Sequence, residues 1–237
     1  MSHLVKSGAI VLGLLASPAS AQDWGGLYGG LTLSMSNVTA DHSFSNGAPS
    51  DTVTLTDGWP GLFLGYNIQR GNLVFGAELE YQSASGSGSY ENYSNITSAG
   101  ETRLKEQTSL RAIMGYSGRI GRADTLFYGA LGATRGSFEF RGGPASLGGG
   151  ELVLIEEMAL LHDRTGFPEN GYDQTLNGIS FGLGIDTRLS DAMALRAEYR
   201  QTDFGESDGS LAPMFSGVSM PVKVRQSQFT LGLRMDF

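Results

Sequence analysis

Apolar and polar residues alternate with a period of two in several separate stretches of this chain, the periodicity of strands with one apolar and one polar face. The clearest case is "QFTLGLRMDF", where Phe229, Leu231, Leu233, Met235 and Phe237 alternate with Gln228, Thr230, Gly232, Arg234 and Asp236. Upstream, "GLYGGLTLSMS" puts Leu27, Leu31, Leu33 and Met35 on one face, with Tyr28, Gly30, Thr32 and Ser34 on the other. "GLFLGYNI" sets Leu62, Leu64, Tyr66 and Ile68 against Gly61, Phe63, Gly65 and Asn67. "LVFGAELEYQ" opposes Leu73, Phe75, Ala77, Leu79 and Tyr81 to Val74, Gly76, Glu78, Glu80 and Gln82. "SLRAIMGYSG", "GISFGLGIDTRL" and "MALRAEYRQ" repeat the pattern, while in "TLFYGALGATRG" both faces are half apolar and the facing stays open. Eight strands are predicted.

The connections order these strands. "QRGN", "RIGRAD" and "SDA" are short, whereas residues 37–56, 83–106, 138–174 and 203–222 form long polar connections, and the two kinds alternate without exception. A soluble sandwich has no reason for that alternation. An outer-membrane barrel does, because its periplasmic turns are short and its outer loops long. The expected fold is therefore all-β, an eight-stranded antiparallel up-and-down transmembrane β-barrel with both termini on the periplasmic side.

The polar face strengthens this reading. It carries Glu78, Glu80, Asp186, Glu198 and Asp236 beside Arg111, Arg188, Arg196, Arg200 and Arg234, five acids and five arginines. Balance is required if these side chains plug a narrow, desolvated lumen, so the ten are predicted to form a structural ion-pair network. Aromatics fall near strand ends: Tyr66, Phe75, Tyr116 and Phe237 at the expected periplasmic rim, and Trp59, Tyr81, Tyr199 and Phe229 at the outer rim, as in the girdles of membrane barrels.

Composition adds compartment. "MSHLVKSGAIVLGLLASPASA" reads as a secretory signal peptide over residues 1–21, because its apolar run is too short to span a bilayer and ends in a small-residue cleavage site. The mature chain is expected to start at about Gln22 and form one barrel domain over 22–237, and the absence of Cys excludes lipoprotein processing. Loss of the signal's single Lys takes the net charge from −8 to −9, with no basic patch of the nucleic-acid-binding kind.

"FLGYN", "FGAELEY", "LRAIMGY", "LRAEYRQTDFG" and the closing "FTLGLRMDF", in that order, resemble the small outer-membrane barrels of the opacity and OmpA-like family, with surface-antigen barrels of alphaproteobacteria as the nearest cousins. The resemblance covers essentially the whole mature chain. It implies a monomeric barrel in the cell outer membrane, in contact with membrane lipid and lipopolysaccharide. It also implies that Phe229, Leu231, Leu233, Met235 and Phe237 are the signal read by the barrel-assembly machinery. Two departures stand out. No peptidoglycan-binding domain is expected after the barrel, and the third outer loop carries "GGPASLGGGELVLIEEMALLHD", whose Leu152, Ile155, Met158/Ala159 and Leu161 have helical spacing, with strand extension as the alternative.

Chemistry is sparse. An acyl-transfer or deacylase site on lipid A needs a base beside a nucleophile, yet His3 lies in the signal, His42 in the first loop and His162 in the third. Acids in the third loop (Glu151, Glu156, Glu157, Asp163, Glu169, Asp173) suit Ca²⁺ by type but lack ligand spacing. The sequons at Asn37, Asn92 and Asn95 read as loop composition. No catalytic residue, cofactor, metal or nucleic-acid partner is expected. The leading expectation is a non-enzymatic barrel whose loops meet an unknown ligand and serve envelope integrity, adhesion or surface-antigen roles. A narrow low-conductance channel is the alternative, for example through rearranged pairs around Glu78, Arg111, Arg196 and Glu198. A lipid A-modifying enzyme and a soluble periplasmic β-protein stand behind it.

Overall fold

A computed structural model describes residues 23–43, 45, 52–83, 86–93, 96–146, 171–209 and 219–237. The chain runs through β1 (Gly26–His42), β2 (Thr52–Arg70), β3 (Leu73–Ser83), β4 (Ser87–Tyr93), β5 (Ile96–Ile120), β6 (Ala123–Ser146), β7 (Gly171–Ser190), β8 (Met193–Glu206) and β9 (Val222–Asp236), with no helix among the described residues. Every neighbouring pair is antiparallel, and β9 returns to β1 with Leu31 opposite Leu233, closing the ring.

The nine segments make eight staves, because β3 and β4 are one stave interrupted at a bulge. Both pair with β5, Ser83 opposite Glu106 and Ser87 opposite Arg103, a slip of one residue. On its other side β5 also slips against β6, between Leu104 and Glu106. Closure leaves no bare edge, which is what a strand structure in lipid requires. The eight-stranded up-and-down barrel read from the alternation is the architecture found.

Three two-residue turns join β2 to β3, β5 to β6 and β7 to β8. Gly71 (φ 60°) and Gly121 (φ 61°) open the first two. A left-handed residue at the first turn position is what a tight type II′ hairpin needs, so Gly stands where a side chain would be strained.

The lipid-facing wall follows the predicted parity. Leu31, Met35, Leu64, Leu110, Ile179, Leu183 and Leu231 are all exposed, while the neighbouring Thr32, Ser34, Ser109, Ser180 and Thr230 are buried in the lumen. The ambiguous strand β6 turns Phe127, Gly129 and Leu131 outward and Leu126, Tyr128 and Ala130 inward. Its inner face reads as apolar because Tyr128 and Leu126 fill space there rather than carry charge.

Two sequence expectations need correction. The stretches expected as loops are in large part strand: β1 continues to His42, β2 begins at Thr52, β4 and β5 occupy most of 83–106, β6 reaches Ser146 and β7 starts at Gly171. In these extensions the pattern inverts, with Thr, Ser and charged residues outside and Val38, Ala40, Val53, Leu55, Leu104, Phe138 and Phe140 inside. A wall standing above the bilayer faces water, so its outer face is polar and its interior packs like that of a soluble protein. Trp59, expected in the outer aromatic girdle, lies inside this apolar interior with 1% exposure. Its odd number puts it on the inward parity of β2, opposite to Leu62 and Leu64.

Candidate functional site

The inside of the barrel is the candidate site, and it is layered. At the periplasmic mouth the chain turns inward just before β1 and buries Trp24 completely. Its backbone N–H donates to Gln69 Oε1 at 2.7 Å. The Arg188 guanidinium lies 4.1 Å and that of Arg234 5.1 Å from the indole ring. Arg188 also donates to the Asp23 carbonyl at 3.0 Å, and pairs with Asp236, as Arg234 does at 2.7 Å.

Above the mouth, buried charges run across the lumen as a continuous chain. Asp186 accepts from Arg234 at 3.1 Å and from Arg196 at 2.9 Å. Arg196 continues to Glu78 at 2.7 Å, Glu78 pairs with Arg111, and Arg111 reaches Glu198 at 2.5 Å. Arg200 closes the upper end on Glu198, at 2.8 Å, and on Glu80. All ten residues expected in an ion-pair network are thus brought together, Arg188 and Asp236 at the mouth and the other eight within the membrane band.

Two tyrosines absent from that expectation complete the arrangement. Tyr28 Oη donates to Glu78 at 3.0 Å and Tyr128 Oη donates to Glu198 at 2.8 Å. Each ring lies over a glycine of the next strand, Tyr28 over Gly65 and Tyr128 over Gly184, where a Cβ would collide with the ring. Arg234 stacks 3.8 Å from the Tyr28 ring and Arg196 4.2 Å from Phe63. These rings supply a face for the guanidinium planes where water is excluded. Their signal was available: Tyr28 and Phe63 share the parity of the charged positions.

Next comes a neutral polar layer. Gln82 donates to Ser34 Oγ at 2.9 Å, Gln228 donates to Gln82 at 3.0 Å, and Ser34 and Thr230 share a bond of 2.8 Å. The outermost layer is the apolar interior of the extension. There Phe138 stacks on Phe140 at 5.7 Å and meets Phe204 edge-on at 5.1 Å, with Trp59, Leu55, Leu104, Val222 and Val224 around them. Tyr172 seals its upper edge, donating to the Met220 carbonyl at 2.7 Å, and burial pushes its phenol up to about 12.

His42 belongs to this outer layer, above the lipid-facing band that ends on β1 at Met35. Nδ1 lies 3.2 Å from the Ala40 carbonyl and Nε2 3.1 Å from Thr102 Oγ1, and burial lowers its pKa to about 4. His3, His162 and the third-loop acids lie outside the described residues, apart from Asp173. That carboxylate pairs on the outer wall with Lys105 at 3.1 Å and Arg141 at 3.0 Å, which hold it below its usual pKa. The helical spacing at Leu152–Leu161 and the signal peptide also fall outside the described residues.

The closing strand places Phe229, Leu231, Leu233 and Met235 on the outer face of β9, and Phe237, directly after it, is exposed as well. A family model described as outer membrane protein beta-barrel domain matches residues 7–237. The chain belongs to this family of outer-membrane barrels. The 31 kDa outer-membrane immunogenic protein of Brucella melitensis is 26% identical over 201 residues, covering 81% of this chain and 75% of that one. Among solved structures, OprG from Pseudomonas aeruginosa aligns at 16% identity and TM-score 0.44, over 88% of this chain and 96% of its own. Ail of Yersinia pestis, in complex with a heparin analogue, aligns at 14% identity and TM-score 0.41, over 90% and 99%. This family member is an outer-membrane protein.

Proposed function

We propose that the protein is a non-enzymatic, non-conducting barrel that carries loops and an extended strand wall beyond the outer membrane, in the role of a surface antigen, adhesin or envelope-strengthening protein. The observation that carries this reading is the filled interior: Trp24 at the mouth, an ion-pair chain in the middle and an apolar core in the outer half. An eight-stranded barrel has room only for its own side chains, and here four chemically different layers succeed one another, with the neutral polar layer of Gln82 and Gln228 between the ion pairs and the apolar core. A hydrated ion would meet a mouth filled by Trp24 beneath Arg188 and Arg234 at one end and a packed apolar section at the other, and entry to either would strip its water shell.

The immunogenic Brucella relative supports placing the activity on the outer surface. The proposed contacts are membrane lipid and lipopolysaccharide around the wall, a loop ligand above it, and the assembly machinery at the closing strand of a monomer. Both nitrogens of His42 lie against groups of the interior, which supports a packing role rather than that of a base on lipid A. The polar middle of the lumen favours a narrow channel as the second reading. Planar-bilayer recording of the refolded mature chain decides between them. A silent bilayer with inserted protein is expected, and reproducible discrete steps would overturn the plugged reading.

A further inference from the structure

The lipid-facing wall has one depression that the plugged-barrel reading does not use. Around Gly129 on β6 and Ala197 on β8, the larger Tyr116, Phe127, Leu183 and Tyr199 stand up and leave an apolar groove of about 690 Å³. The lower end of the groove is Leu73 and Tyr116, which face each other across β3 and β5. Leu73 directly follows the periplasmic turn Gly71–Asn72. Asn72 Nδ2 donates to Tyr116 Oη at 3.0 Å, and Ser117 N–H donates to the Asn72 carbonyl at 2.7 Å, which fixes the phenol at the height of the turns.

The same turns are basic in a protein of net charge −8. Arg70 and Arg122 are exposed and make no ion pair among the described residues. Arg119 is also exposed and reaches only Asp124, at 3.1 Å. The other side-chain carboxylates at this level are Asp191 in the third turn, Asp23 just before β1, and Asp236, which pairs with Arg188 and Arg234. An apolar slot that begins beside cationic turns matches a molecule with an apolar chain and an anionic head.

We infer that the groove and these turns form a binding site for one anionic phospholipid of the periplasmic leaflet. One acyl chain lies along Gly129 and Leu183, and the phosphate faces Arg70, Arg119 and Arg122. Each such arginine near an anionic surface strengthens association roughly fivefold. Gly129 keeps the slot open: a Cβ there would come within 3.8 Å of Leu183, ordinary contact, so a larger side chain fills the groove without straining the wall. The site stands apart from whether the lumen conducts.

The test is native mass spectrometry of the mature chain released from mixed phosphatidylethanolamine–phosphatidylglycerol vesicles. The wild type is expected to retain phosphatidylglycerol in preference to phosphatidylethanolamine. Arg70→Gln with Arg122→Gln should lower that retention about 25-fold, fivefold for each arginine, since neither side chain supports the fold. Gly129→Leu should lower it with the arginines intact. Equal retention of the two lipids by the wild type, or undiminished retention in either variant, would overturn the site. So would a dimer carrying no lipid, which would assign the groove to a second copy of the chain.

Discussion

Replacing Trp24 by Ala tests the layered interior at its periplasmic end. The side chain is fully buried and lies beneath two guanidinium groups, 4.1 and 5.1 Å from its ring. Truncating a buried Trp in a sealed core costs about 3–5 kcal/mol. At a barrel mouth water can refill part of the space, so the lower end, about 3 kcal/mol, is expected, with the lost cation–π stacking included. The chain has two Trp, and the other, Trp59, is buried in the outer apolar layer. Trp24→Ala therefore leaves a single fluorescent reporter at the far end of the barrel, and a urea titration followed by its emission gives the stability directly. The variant should also stay silent in a planar bilayer, because the ion-pair chain and the apolar section remain. A change below about 0.5 kcal/mol, the range of an ordinary surface substitution, would mean that Trp24 does not occupy the mouth. Conductance through the variant would show instead that the outer layer is no seal.

Two further outcomes follow from the facing and from burial. Leu183→Arg, outward on β7 within the lipid band, should cost about 2–4 kcal/mol in a lipid-vesicle folding titration, whereas Thr175→Arg, on the same face of β7 above that band, should be neutral; equal costs would remove the inferred position of the bilayer. His42 titrates near 6.5 when unfolded and near 4 when folded, so the unfolded chain binds the extra proton between those values and stability falls as pH drops from about 6.5 to 4, by up to about 3 kcal/mol. Urea midpoints that fall equally for wild type and His42→Asn across this window would show that His42 is not held neutral in the apolar layer.

The membrane half of the fold was legible because two solvents meet across one wall. Lipid outside selects Leu31, Leu64, Leu183 and Leu231, a crowded lumen inside selects Gly, Ser, Arg and Glu, and a pleated strand converts that contrast into strict alternation. The ion-pair residues were legible for the same reason, since a charge on the inward parity of a closed barrel has only other inward charges to meet. Trp24 was hidden because it precedes the first alternating stretch and takes its place from tertiary contacts with Arg188 and Arg234, which leave no period in the sequence. The aromatic partners Tyr28 and Tyr128 carry no charge, so only the inward parity that they share with the charged positions marks them.

The outer half was misread as loop because the contrast reverses there. From Ser36 to Val38 on β1, and from Thr134 through Gly136 to Phe138 on β6, the inward parity passes from polar to apolar without a break in the strand. Thr, Asn and charged residues on the outward parity then give the segment the composition of a solvated connection. Continuing the parity of β1 and β6 past their last lipid-facing residues finds Val38, Ala40, Phe138 and Phe140 on one inner surface, whereas Leu104 reaches it only through the slip in β5 that reverses the parity there. The same continuation on β2 moves Trp59 from the girdle to the core. The reversal marks the height at which the wall leaves lipid for water, between Met35 and Asn37 on β1. Above it the barrel is held by an apolar core of its own, so the loops are carried on a packed platform rather than on the membrane strands alone.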